Sequence, residues 1–158
     1  MASFIFNKWK ETLALGTYKW NDNPDGAGGV MQVALSELDL SLTAGYKDDD
    51  TLAAMTSRGA WEHLHSGPIR TTTAGASVSV NDTADRAQLD LTTNTTVEDV
   101  LQDGTDQVKG LLLYVKPNGT SADSSYIPVA FFLLATPFYG NGSDVLFTWD
   151  STGAIHLT

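Results

Sequence analysis

The C-terminal third of the chain limits the fold more than any other part. It holds two strongly apolar runs, Gly110-Leu111-Leu112-Leu113-Tyr114-Val115 and Ile127-Pro128-Val129-Ala130-Phe131-Phe132-Leu133-Leu134. Val145-Leu146-Phe147-Thr148-Trp149 follows, and Ala154-Ile155-His156-Leu157-Thr158 closes the sequence. Each run is strand-sized and bordered by Gly, Pro, Asn, Asp or Ser, which favours β-strands over helices. Apolar density is highest here, so the main core is expected here. Turn signals separate the runs at 117–119, 141–142 and 150–153. Pro128 marks an edge or a strand end, because proline cannot donate to a ladder.

The middle of the chain continues the β pattern. Val30-Met31-Gln32-Val33-Ala34-Leu35 reads as the first core strand. Ala76, Val78 and Val80 alternate with Ser77 and Ser79. After a turn at 81–85, Ala87, Leu89 and Leu91 alternate with Gln88 and Asp90, giving a strand–turn–strand unit with one dry face. Between 92 and 107, Val97, Val100 and Leu101 suit either one helical turn or a ragged strand. The sequence predicts one domain over 1–158: mostly β, an antiparallel β-sandwich, jelly-roll-like, with a short N-terminal α-helix. An α+β sheet with one covering helix is the alternative.

That helix is expected over 3–16. Ser3 is a candidate N-cap, and Gly16 fits the left-handed position after the last turn. Phe6, Trp9 and Leu13 share one face, leaving Lys8, Glu11 and Thr12 for water. So short a helix is marginal alone, so its apolar face must dock on this chain's sheet or on a partner.

With 158 residues the chain can bury a core without staples, and it has no Cys for disulfides or thiolate metal sites. No run approaches the roughly 18 apolar residues of a membrane span, and no signal peptide is expected. Nine basic against 19 acidic residues give a net charge of −10, which repels a phosphate backbone and favours solubility.

The sequence carries few candidate chemical sites. The Gly-rich loop 17–29 lacks the Lys-Ser/Thr of a phosphate-binding loop and carries Asp22 and Asp25. Lys47-Asp48-Asp49-Asp50 reads as a turn and helix cap ahead of 51–55, because a Ca²⁺ loop needs alternating oxygen ligands. His63 and His65 would share a face in an extended segment, with no third metal ligand nearby. Asn-X-Ser/Thr triplets at Asn81, Asn94, Asn118 and Asn141 read as turns. No catalytic signature is present, and no active site, cofactor or metal site is predicted.

Three stretches together resemble a family of small virion structural proteins of tailed bacteriophages. One is Phe4-Ile5-Phe6-Asn7-Lys8-Trp9-Lys10, with Leu13 and Gly16-Thr17, then Gln32-Val33-Ala34-Leu35. The second is Thr73-Ala74-Gly75-Ala76-Ser77-Val78, then Ala84-Asp85-Arg86-Ala87-Gln88-Leu89-Asp90. The last runs from Leu112-Leu113-Tyr114-Val115 through Ile127-Pro128-Val129-Ala130 and Gly142 to Phe147-Thr148-Trp149-Asp150-Ser151-Thr152-Gly153-Ala154-Ile155-His156-Leu157. The loops 22–29 and 92–107 depart from the pattern.

The resemblance implies a non-enzymatic virion component. The leading expectation is a capsid decoration (cement) protein on the shell exterior, a homo-oligomer with trimers at local three-fold points as its expected form, and with the major capsid protein as partner. No direct nucleic-acid or membrane contact is expected. A tail, neck or adaptor component is the first alternative. A carbohydrate-binding module for host recognition, using Trp20 beside Asn21-Asp22-Asn23, is the other. Phe6, Trp9, Leu13, Trp20 and Trp61 are the candidate partner contacts, each with a core role as the competing reading, and Trp149 reads as structural.

Overall fold

The computed structural model describes residues 3–15, 30–42, 45–59, 61–64, 70–73, 76–83, 86–91, 94–101, 106–117, 120, 122–149 and 155–157. The strands are β1 (Phe4–Ile5), β2 (Val30–Ser36), β3 (Arg70–Thr72), β4 (Ala76–Asn81), β5 (Arg86–Leu91), β6 (Thr95–Val100), β7 (Val108–Lys116), β8 (Ile127–Phe138), β9 (Ser143–Phe147) and β10 (Ile155–Leu157). Helices α1 (Asn7–Ala14) and α2 (Leu52–Ser57) and 3₁₀ turns at Tyr46–Asp48 and Asp123–Ser125 complete the described elements. The protein is mostly β, and every described strand pair is antiparallel.

A five-stranded sheet, ordered β1-β8-β7-β2-β3, forms the centre. One face carries Met31, Val33, Leu35, Leu111, Leu113 and Val115. This face packs against a three-stranded ladder, β10-β5-β4, and a two-stranded ladder, β6-β9, through Leu89, Leu91, Ile155, Val97 and Val100. That makes the sandwich. The opposite face carries Ala34, Leu112, Tyr114 and Phe131 under Leu40, Tyr46, Leu52, Met55 and Trp61. Burial on both faces explains why 111–115 is continuously apolar instead of alternating. Each large side chain so buried contributes roughly 1.5–3 kcal/mol.

Strand β8 bends twice against β7. Leu113 faces Ala130 and Tyr114 faces Pro128, so Val129 is an extra residue, a β-bulge. The bulge lets Ile127 and Val129 join the first core while Phe131 turns into the second. Further on, Gly110 faces Leu133 and Val108 faces Phe138, so two steps along β7 meet five along β8, which bows outward there.

The N-terminus differs from expectation. Phe4–Ile5 adds an edge strand to β8, and the Phe6 N–H donates to the Val129 carbonyl at 3.0 Å. The helix therefore starts at Asn7, with extended Phe6 as its uncapped first flank. Ser3 does not cap it; the Ser3 hydroxyl accepts from the Leu133 N–H. Sheet pairing has overridden the local capping signal. Thr12, expected in water, is buried and donates to the Trp9 carbonyl at 2.8 Å.

Two other readings resolve in the structure. Residues 95–100 are a strand, interrupted by a bulge where Asp99 adopts φ 48°. A helix follows 47–50 as expected, but its cap is Thr51 and not a residue of 47–50: the Thr51 hydroxyl accepts from the Ala54 N–H at 3.2 Å. Gly16, the loop 17–29 and the turn 150–153 lie outside the described residues, as do 118–119 of the turn 117–119 and 84–85 of the turn 81–85.

Candidate functional site

The outward bow of β8 creates a surface groove. Leu133, Leu134 and Pro137 of β8, Leu38 and Leu42 of the turn after β2, and Lys109 of β7 line a groove of 470 Å³, with Asp39 at its side. Asp39 holds the turn: its Oδ1 accepts from the Ser41 N–H at 3.0 Å and from the Ser41 hydroxyl, and its carbonyl accepts from the Leu42 N–H at 3.1 Å. The turn presents Leu42 to solvent at 80% exposure, which is costly for leucine. Lys109 is half-buried and makes no ion pair among the described residues. The outer edge of β8 is paired by β1 at Ala130 and Phe131 only, so past Phe131 it has no strand partner among the described residues. The groove is a mostly apolar cleft with one basic and one acidic side chain, Lys109 and Asp39, in its lining.

The polar clusters elsewhere are closed. Arg70 sits opposite Ala34 on β2, and Glu62 bridges to Ser36 on the same edge, so the two side chains meet over one face. The guanidinium donates twice to Glu62, at 2.8 Å each, and twice to Asp123, at 2.5 and 3.0 Å. It also lies over the Tyr114 and Tyr126 rings at 5.7 and 5.9 Å. Burial alone disfavours its charge, but the hydrogen bonds to Glu62 and Asp123 prevail and hold its pKa above the ordinary arginine value. Burial likewise pushes the Glu62 carboxyl up against the pull of Arg70. It pushes the Tyr114 phenol up too, and that hydroxyl donates to Gln32 at 2.8 Å. This cluster pins the turn at 123–125 to the sheet.

His63 is fully buried. Its Nδ1 lies 2.7 Å from a Glu37 carboxylate oxygen and its Nε2 lies 2.8 Å from the Leu101 carbonyl. Both ring nitrogens face protein oxygens at hydrogen-bond distance, so neither is turned to an open position where a metal could bind. His65 and the side chain of His156 lie outside the description. No group of three or more His, Asp or Glu suited to a metal occurs among the described residues.

The sequence-predicted contacts fall mostly inside. Phe6, Trp9 and Trp61 are fully buried, Trp9 in the first core and the other two in the second. They are therefore not available to a partner in this conformation, and their core reading is the one the structure supports. Leu13 is partly buried against the first core, and Trp20 lies outside the described residues. The four described residues, Phe6, Trp9, Leu13 and Trp61, are not brought together into a surface. Trp149, half-buried, stacks edge-on with Phe132 at 5.6 Å and donates to the Thr95 hydroxyl at 3.0 Å, a structural placement. The groove residues escaped the sequence reading because their apposition depends on the β7–β8 register.

No family model matches this chain, and neither a curated protein nor a solved structure matches it. Among the described residues, no helix is long and apolar enough to cross a membrane.

Proposed function

We propose that the chain is a structural protein of a tailed-bacteriophage virion, acting as a decoration protein that binds the capsid exterior. It acts by binding, with no catalysis. The observation that carries a binding role is the exposed apolar groove with Lys109 and Asp39 in its lining, held on a sandwich whose central sheet is packed on both faces. The virion assignment comes from the sequence resemblance. The net charge of −10 fits a position outside the shell, away from packaged DNA. Such a protein stabilises a shell by binding the assembled lattice and not the free subunits. The gain is about 2.7 kcal/mol per site at a free concentration one hundred times Kd.

Copy number in purified particles, by quantitative mass spectrometry against the major shell protein, tests the proposal. A simple large fraction of one copy per shell subunit is the expected result. About six or twelve copies per particle would instead place the protein in the tail, neck or an adaptor ring. Absence from the particle would overturn the virion reading.

A further inference from the structure

We infer that His63 and Glu37 form a proton-controlled brace, which ties the β6–β9 ladder to the edge of the central sheet and lets go when the pair loses its shared proton. The backbone fixes both side chains. The His63 N–H donates to the Leu35 carbonyl at 2.9 Å, the Glu37 N–H donates to the Trp61 carbonyl at 2.8 Å, and Ser36 bridges to Glu62 between them. The imidazole is fully buried. Its Nδ1 lies 2.7 Å from the Glu37 Oε1 and its Nε2 lies 2.8 Å from the Leu101 carbonyl oxygen.

These contacts set a proton count. A carbonyl oxygen only accepts, so Nε2 carries a proton. A bare Nδ1 would set its lone pair against a carboxylate lone pair, so a second proton lies between Nδ1 and Oε1. The pair thus holds one proton more than a neutral imidazole beside a carboxylate. Once that proton leaves, one N–H remains for two acceptors, and burial keeps bulk solvent from supplying a substitute. The bond to the carboxylate is charge-assisted and the stronger of the two. The remaining proton therefore stays on Nδ1, and Nε2 turns a lone pair on the Leu101 carbonyl.

Leu101 directly follows β6. A Cβ on Gly140 would overlap its carbonyl oxygen and that of Val100, and the Val100 carbonyl accepts from the Gly142 N–H at 2.9 Å. The strand end is thus held by the 140–142 turn on one side and by His63 on the other. Among the described residues, no other hydrogen bond joins the ladder to the central sheet or to the segments along its edge. Val97 and Val100 stay packed in the first core, so release loosens the ladder without unfolding the sandwich. The charged groups around the ring are few. Glu37 comes from the turn after β2; Glu62, next in sequence, is engaged by Arg70; Leu101 presents only its carbonyl. The brace is complete on the acid side of the ring's transition and is lost as pH rises through it.

Two NMR measurements on the folded chain between about pH 5 and 8 test the inference. Ring ¹⁵N shifts, assigned to His63 by comparison with His63→Gln, should show both nitrogens protonated at the acid end and only Nδ1 protonated at the alkaline end. Amide exchange protection in β6 and β9, corrected for the intrinsic effect of pH, should fall about tenfold across the same transition, while protection in β2 and β7 holds. Glu37→Gln separates the proton from the packing. Its amide N–H can donate to a bare Nδ1, so a neutral ring keeps Nε2–H on Leu101, and ladder protection should stay high and flat with pH. A ring that keeps Nε2–H with a bare Nδ1 at every pH would overturn the inference. So would ladder protection that ignores the ring's transition, or a Glu37→Gln variant with the pH dependence of the wild type.

Discussion

Replacing Gly110 with alanine tests the packing of the central sheet. Gly110 is buried in β7 between Ser36 of β2 and Leu133 of β8, on the face that belongs to the second core. The Phe131 ring lies directly over it, and a Cβ at this position would overlap the Cζ and Cε2 atoms and come within 3.1 Å of the Phe132 carbonyl oxygen. The ring has little room to yield. It is fully buried and packs on Phe4 at 5.7 Å between centroids, with Phe6 a further 4.9 Å from Phe4. Overpacking of this kind costs roughly 1–3 kcal/mol. Alanine recovers about 0.5–1 kcal/mol of backbone entropy. The net expectation is a loss of about 1–2 kcal/mol, or about 2–8 °C in Tm for a domain of this size. Thermal and urea unfolding of Gly110→Ala, Phe131→Leu and the double variant give the coupling. In the Phe131→Leu background the extra methyl has space, so Gly110→Ala should become neutral or stabilising, a coupling of about 1 kcal/mol or more. A single variant as stable as wild type, or penalties that simply add, would refute the placement of the ring.

The buried polar clusters give three further expectations. Arg70→Met strands Glu62 and Asp123 and should cost about 3 kcal/mol in urea unfolding at neutral pH; Arg70→Lys should recover little, because lysine cannot bridge both carboxylates in the same fork. His63→Leu leaves the Glu37 carboxylate and the Leu101 carbonyl without this partner and should cost about 2–4 kcal/mol; a loss below about 1 kcal/mol would contradict the two hydrogen bonds. Tyr114 has its pKa raised by burial, so the folded state holds the phenolic proton more tightly than the unfolded chain does. Its contribution is complete below about pH 10 and is lost as pH rises through the higher folded value. Absorbance at the tyrosinate band should show this residue ionising only with alkaline unfolding, and Tyr114→Phe should unfold with a shallower alkaline slope.

Much of the fold was legible because the central strands are apolar on both faces. A run such as 111–115 admits few alternatives when turn residues border it. The parts that were not legible depend on pairing. Ser3 looks like a helix cap, yet β8 offers an open edge and Phe4–Ile5 takes it. Residues 97–101 resisted assignment because Asp99 at φ 48° breaks the alternation of β6. Trp9 and Trp61 looked like anchors because they stand outside the dense apolar runs. The second face of the sheet, however, is covered by short segments: Leu52 and Met55 come from α2, Tyr46 from a 3₁₀ turn, and Leu40 and Trp61 from backbone outside helices and strands, so no long period marks it. Size and hydrophobicity mark a residue as buried without saying by what.

The groove shows the same point from the opposite side. The two bulges of β8 have different fates. At Val129 the displaced carbonyl is met by Phe6, and Ile127, Val129 and Ala130 enter the first core while Phe131 enters the second. Between Leu133 and Phe138 the strand outruns β7, and Ala135 and Thr136 are exposed while Leu133, Leu134 and Pro137 line the cleft. An extended apolar segment at an open edge is an invitation to unspecific pairing. Pro137 removes one donor from that segment, and the net charge of −10 keeps copies apart in most orientations. Both devices suppress random association. The local sequence shows only a strand ending in proline. It is the register against β7, three residues longer on one side than on the other, that turns this ending into a cleft.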